Sequence, residues 1–233
     1  AIECAVPASR YERGRLMARL PRTGKMVALI ADPERARSLA DRRRGEVSVA
    51  AVNGPRQVVL SGEAAAVDAL VAELSPDAVR ELATSHAFHS PLVEPMLDEL
   101  GAVAASLRFR SPRLPLISNV TGEAAGPEIA SPGYWMQQAR QPVRFADGID
   151  TLWRQGAQVF LEIGPSPALS RLVRECVAGD PEVAALASAC PKRGEWHELV
   201  ETVARLAVRG ATIDWRAWMG RYRGVVTSAP RRN

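Results

Sequence analysis

The sequence predicts an α/β protein in which a small split βαββαβ unit lies inside or beside a larger parallel-sheet layer. Three observations lead there. Over residues 25–85 the apolar pattern switches between strand-like and helix-like periods in the order β-α-β-β-α-β. From residue 91 onward, short apolar runs alternate with amphipathic helical stretches, the pattern of a parallel sheet with helices on its faces. At 233 residues and 47% apolar, the chain is long enough for one sizeable core or a core plus a small second lobe.

The elements follow in order. Residues 25–31 (KMVALIA) form a short apolar strand, after which Asp32 caps a helix, ERARSLADRR, with Pro33 in its first turn. VSVAAV, the turn Asn53-Gly54-Pro55 and QVVLSG make a hairpin. Ser61-Gly62-Glu63 opens the Ala-rich helix EAAAVDALVAEL, and VRELATS is the last strand. That order gives four strands covered by two helices on one face. Residues 91–107 predict a single long helix burying Leu92, Met96, Leu100, Val103 and Leu107. PLISNV, VFLEIGP and AALASA predict strands of the larger layer, alternating with the helices FADGIDTLWRQG, SPALSRLVRECV and WHELVETVARLAVRG. From Asp214 the periodicity fades, which predicts a linker or tail with Trp215 and Trp218 packed onto the body.

Several function classes fall away. The apolar runs are far shorter than the roughly 20 residues a bilayer requires, and no signal segment opens the chain, so a cytoplasmic protein without a membrane partner is expected. Cys4, Cys176 and Cys190 are widely spaced and suggest neither a disulfide framework nor a metal site. The net charge of +4 comes mostly from scattered arginines, with blocks at Arg42-Arg43-Arg44 and Arg231-Arg232. Sheet-surface RNA readers need exposed aromatics on the central strands. VSVAAV and QVVLSG have none, so no nucleic-acid partner is expected, while an acidic partner protein or an anionic substrate remains compatible with the charge.

Three places carry possible chemistry. In ELATSHAFHSPLVEPM, His86 and His89 flank Ala-Phe just before Ser-Pro, which fixes His89 at an element boundary. Arg13, in YERGRLMARLP, is either a solvated helix arginine or a bidentate partner for a planar anion, and spacing alone does not choose. VFLEIGPSPAL ends a strand and starts a helix whose first N–H groups either hold an anion or simply make a turn.

RGRLM at 13–17, VAAVNGPRQVVLSGE at 49–63, HAFHSP at 86–91, SNVTGE at 118–123, YWMQQARQPVRF at 134–145 and FLEIGPSPAL at 160–169 together resemble one family. It is the acyltransferase domain of modular type I polyketide synthases, of the malonyl-CoA:acyl-carrier-protein transacylase type. The resemblance implies a hydrolase-like parallel-sheet core with an inserted ferredoxin-like subdomain. Residues 1–24 and 86–213 would belong to the large subdomain, 25–85 to the ferredoxin-like one, and 214–233 to a linker that wraps back. It implies acyl transfer through a serine ester, with His89 as general base and Arg13 paired with the malonyl carboxylate. His86, Phe88 and Gln138 join the substrate-binding set. Gln138 matches the position whose backbone carbonyl orients the histidine, and Phe88 leaves little room for an α-methyl branch, favouring malonyl over methylmalonyl. No cofactor is implied; the substrates are malonyl-CoA and the phosphopantetheine of a partner acyl carrier protein, with the adjacent ketosynthase and other synthase domains as neighbours.

One departure bears on activity. The family carries a Gly-His-Ser-x-Gly nucleophile elbow roughly two dozen residues before its arginine. Here the chain begins 12 residues before Arg13, and G-x-S-x-G occurs nowhere in the 233 residues. The stretch AIECAVPAS also does not look like the helix that leads into RGRLM in the family. Either a separate segment or chain supplies the nucleophile, or the protein is a degenerate relative acting as a docking module. In both cases this polypeptide alone is expected to be inactive.

Overall fold

A computed structural model of the chain describes residues 6–178 and 180–220. Cys4, the Arg231-Arg232 block and the tail after residue 220 lie outside the described residues. The chain divides into two compact units, Ala1–Gln158 with Leu172–Val183, and Val159–Arg171 with Ala184–Asn233.

The first unit opens with helix α1 (Val6–Arg19), so the residues from Val6 onward do lead helically into RGRLM. The split unit follows as β1 (Gly24–Ile30), α2 (Pro33–Asp41), β2 (Val47–Gly54), β3 (Gln57–Glu63), α3 (Ala64–Val71) and β4 (Val79–Glu81). Its sheet has the order β2-β3-β1-β4 and every pairing is antiparallel. The expected cap is present: the Asp32 carboxylate accepts from the Arg35 N–H at 2.8 Å, with Pro33 next in the chain. Strand alternation divides the side chains between two faces. Val27, Leu29, Val49, Val58 and Leu60 pack with Ala36 and Leu39 of α2 and Val67 and Leu70 of α3. Met26, Ala50 and Val59 lie on the opposite face with Ala87. Gly24 is required at the start of β1, since a Cβ there would stand 2.4 Å from the Ala87 Cβ.

The edge strand β2 is irregular where it matters. Its register shifts between Val49 and Ala51 and again between Val52 and Gly54. The displaced backbone bonds outward: the Ala50 carbonyl accepts from the Val143 N–H and the Val52 N–H donates to the Val143 carbonyl, both at 2.9 Å. A bulged edge thus closes on a single residue of a distant loop instead of on another strand.

Residues 91–107 are not one helix. A tight three-residue-per-turn segment covers Pro91–Met96, and α4 occupies Leu97–Ser106. Pro95 has no N–H for an α-helical bond, so the first turns tighten. The buried stripe shifts accordingly to Val93, Met96, Leu100 and Ala104, and of the expected set only Met96 and Leu100 are buried. Val93, Met96 and Leu100 pack with Leu16 and Leu20 and with Ala139 of α5 (Pro132–Arg140). PLISNV is not a strand either. Ser118 and Ala125 donate across a local turn to Glu123 and Leu116, both at 2.8 Å, and Ile117–Ala124 is an isolated bridge. Its hydrogen bonds close on the residues just after it, which leaves Leu114 and Leu116 exposed. Helix α6 (Phe145–Arg154) follows Val143.

In the second unit, β5 (Val159–Glu162) precedes the start of α7 (Ala168–Cys176) and pairs in parallel with β6 (Ala184–Ala187). Glu162 caps α7 itself, accepting from the N–H groups of Leu169 and Ser170 at 3.0 and 2.7 Å. The helix start in VFLEIGPSPAL is therefore already occupied by a carboxylate of the chain, and the free-anion reading does not hold. Helices α8 (Glu195–Val208) and α9 (Trp215–Gly220) complete this unit. Trp218 stacks on Trp196 with ring centroids 6.0 Å apart, while Trp215 is exposed, so only one of the two tail tryptophans packs as expected.

Candidate active site

The stretch His86–Ser90 turns from the sheet toward the Pro91–Met96 segment, and its two histidines have opposite fates. His86 is buried, with Nε2–H donating to the Leu20 carbonyl at 3.1 Å and Nδ1 in contact with the Ser85 hydroxyl at 2.9 Å. Both ring nitrogens are satisfied by the protein, which makes His86 a structural clamp on the end of α1. The expectation that it binds substrate is not met.

His89 is half-buried and is the one non-glycine residue with positive φ among the described residues, at 57°. That left-handed conformation costs about 1–2 kcal/mol for an ordinary side chain. Ser90 anchors the turn: its buried hydroxyl donates to the Ala87 carbonyl at 2.6 Å and accepts from the Leu92 N–H at 3.3 Å. The reversal points the His89 Nδ1 at the Gln141 carbonyl, 2.8 Å away. A carbonyl only accepts, so Nδ1 carries the proton and Nε2 keeps its lone pair. Burial, chiefly, holds the His89 pKa below the ordinary imidazole value; the Gln141 bond opposes this, and the positive charges of Arg13 and Arg140 add to it. At neutral pH the ring is a neutral base.

The orienting carbonyl belongs to Gln141, three residues beyond the position matched by Gln138. The local reason is Pro142, which excludes helical backbone at the residue before it. Gln141 accordingly ends α5 at φ −76° and ψ 158°, its N–H still donating to Gln137 while its carbonyl leaves the helix direction. Sequence reasoning missed Gln141, although the Gln-Pro pair is the signal that finds it. Gln138 serves by its side chain instead, its Oε1 accepting from Arg13 Nη1 at 2.5 Å.

Arg13 and His89 line one cavity of about 440 Å³, within the size range of small-molecule sites. Its remaining walls are mostly apolar: Met17 from α1, Met26 and Val59 from the inner sheet face, Phe88, and Val143 from the seam with β2. Burial lowers the Arg13 pKa, yet a guanidinium remains cationic there. The result is a fixed cation and a proton acceptor at the edge of an apolar chamber, which suits an acyl group carrying a carboxylate. Among the described residues, no cluster of three or more His, Cys, Asp or Glu side chains is placed to hold a metal ion. No described helix is long and apolar enough to cross a membrane.

A histidine oriented by a main-chain carbonyl beside a largely apolar chamber is compatible with acyl transfer. The chain belongs to the acyl transferase domain family, whose profile matches residues 2–211. It is 43% identical over 218 residues to polyketide synthase GfsA of Streptomyces halstedii, covering 92% of this chain and 3% of that protein. It is 44% identical over 210 residues to the mycoketide-CoA synthase of Mycobacterium tuberculosis, covering 89% of the chain and 5% of the synthase. The acyltransferase domain from the second module of the salinomycin polyketide synthase superposes with a TM-score of 0.85 at 39% identity, over 97% of this chain and 53% of that one. The malonyl-CoA:acyl carrier protein transacylase of Xanthomonas oryzae gives a TM-score of 0.70 at 29% identity, over 82% and 62%. The chain thus spans about half of the solved domain it matches and a small part of the synthases. Its fold class is theirs, a hydrolase-like α/β core with a ferredoxin-like subdomain.

Proposed function

We propose that the chain is the C-terminal portion of a polyketide synthase acyltransferase domain that moves malonyl from CoA to the phosphopantetheine thiol of an acyl carrier protein. The observation that carries this reading is the His89–Gln141 pair facing the same cavity as Arg13. The nucleophile is a serine hydroxyl supplied from outside these 233 residues, in a separate segment or chain. His89 Nε2 takes the serine proton as its oxygen attacks the thioester carbonyl; the C–S bond breaks and the proton leaves on the CoA thiol. In the second half the pantetheine thiol gives its proton to His89 and attacks the serine ester, and the proton returns to serine. Arg13 holds the malonyl carboxylate throughout. Residues 1–24 and 86–213 would form the large-subdomain share of this domain, 25–85 the ferredoxin-like share, and 214–233 the linker, in a cytoplasmic synthase with ketosynthase and carrier neighbours.

The test joins the chain to an upstream segment bearing Gly-His-Ser-x-Gly and measures its mass after exposure to malonyl-CoA. A malonylated serine that His89→Ala prevents is the expected result. The absence of G-x-S-x-G favours one other reading, a docking module without chemistry, and a persistently unlabelled but folded protein that still binds carrier protein would establish it.

A further inference from the structure

A cavity of about 870 Å³ in the first unit, larger than the acyl chamber, is a cleft on the other side of the β2–Val143 seam. Four arginines line it: Arg37 and Arg44 from α2 and the turn after it, and Arg140 and Arg144 from the end of α5 and the segment beyond. Asp41 is the one acidic side chain in the lining. Arg44 is bonded to Asp41 through Nη2, Arg140 to Glu94 through Nε and Arg144 to Asp147 through Nε. Those three carboxylates offset three of the four charges, and Arg37, which has no side-chain partner among the described residues, leaves the cleft with net positive charge. Because Arg140 and Arg144 bind their carboxylates through Nε, their Nη groups remain for an acceptor inside the cleft. Guanidinium forks brought from two sides of a concave surface match a tetrahedral, multiply charged anion better than a single carboxylate.

We propose that this cleft binds a diphosphate-bearing ligand, at a site separate from the acyl chamber. The reading needs neither His89 nor a nucleophile, so it stands apart from the acyltransfer proposal. The two cavities share a wall: Gln141 and Pro142 line the cleft, while the Gln141 carbonyl holds His89 and Val143 lines the chamber. An occupied cleft therefore touches the segment that orients the base.

The experiment is titration of the full 233-residue chain with inorganic pyrophosphate at low salt, by calorimetry and by amide NMR. Saturable binding is expected, with the Arg144 and Gln141 amide signals shifting. Arg37→Gln combined with Arg144→Gln should weaken binding tenfold or more, while Arg80→Gln, on the distant exposed strand β4, should not. Thermal midpoints of all variants confirm that each is folded. Citrate serves as the carboxylate comparison and should bind at least tenfold more weakly. Equal affinity for citrate, equal losses in Arg80→Gln and the double variant, or no saturation at millimolar pyrophosphate would each overturn the proposal.

Discussion

Gln138 offers the sharpest test of the proposal that Arg13 holds a carboxylate. Its Oε1 is the acceptor that fixes one edge of the Arg13 guanidinium, and Arg13 is half-buried, so this bond sets where the fork faces in the chamber. Gln138→Leu keeps the bulk and removes the acceptor. A hydrogen bond to a charged group contributes about 1.5–3 kcal/mol, and because water reaches a half-buried arginine, part of that is recovered, giving roughly a 10- to 30-fold loss. The loss should fall on malonyl and spare acyl groups without a carboxylate. The assay is the ratio of kcat/KM for malonyl-CoA to that for acetyl-CoA in the domain completed with its nucleophile segment, with KM carrying most of the change. A malonyl:acetyl ratio unchanged in Gln138→Leu but collapsed in Arg13→Ala would refute the positioning role. A parallel fall in both substrates would make Gln138 a packing residue only.

Four further outcomes are expected. In the completed domain His89→Ala lowers transfer by roughly 10³-fold or more, and the wild-type acid limb of kcat/KM lies below the ordinary imidazole value of about 6.5. The same depressed pKa sets the sign for stability. The unfolded chain binds this proton more readily, so stability falls as pH drops through about 6.5 and is unaffected above it, and His89→Gln should flatten that slope in denaturant titrations. Phe88→Ser enlarges the chamber beside His89, and the methylmalonyl:malonyl ratio should rise roughly 5-fold or more, since one methyl is worth about 1–3 kcal/mol; a constant ratio removes Phe88 from selectivity. Ser61 is fully buried in β3 with no partner for its hydroxyl among the described residues, so Ser61→Ala should be neutral or stabilising by about 1 kcal/mol, and a clear drop in thermal midpoint would contradict this.

What the sequence discloses and what it hides divide along one line. The split βαββαβ unit was legible because its parts have local causes, the Asp32-Pro33 cap and the alternation that separates Val27 and Leu29 from Met26; the hairpin formed as expected, but its turn lies at Pro55-Arg56, with Asn53 and Gly54 still within β2. Arg13 and His89 stood out as candidates by their settings, but their roles came only through the resemblance, because a lone arginine on a helix and a lone histidine at a turn have no periodicity to betray them. The hidden features depend on backbone direction. Pro95 tightened a predicted helix and moved its buried stripe, and the hydrogen bonds of PLISNV closed on a local turn where a strand was expected. His86 reads like His89 by spacing, yet the Leu20 carbonyl and Ser85 hydroxyl occupy both of its nitrogens.

The Gln141–Val143 segment links the two parts of the first unit through its main chain. Pro142 turns the Gln141 carbonyl toward His89, and one residue later Val143 bonds to Ala50 and Val52 at the bulge of β2. The position of the base is therefore tied to the register of an edge strand in the ferredoxin-like sheet, through bonds that the Gln141–Val143 segment makes by its main chain alone. Substituting Gln141 leaves its carbonyl in place, whereas Pro142→Ala relaxes the extended backbone that presents it. The carbonyl-oriented base is thus more sensitive at Pro142 than at the residue that provides the oxygen. In the completed domain Pro142→Ala should lower kcat more than Gln141→Ala does, and the reverse order would show that the Gln141 side chain, rather than the backbone, sets the histidine.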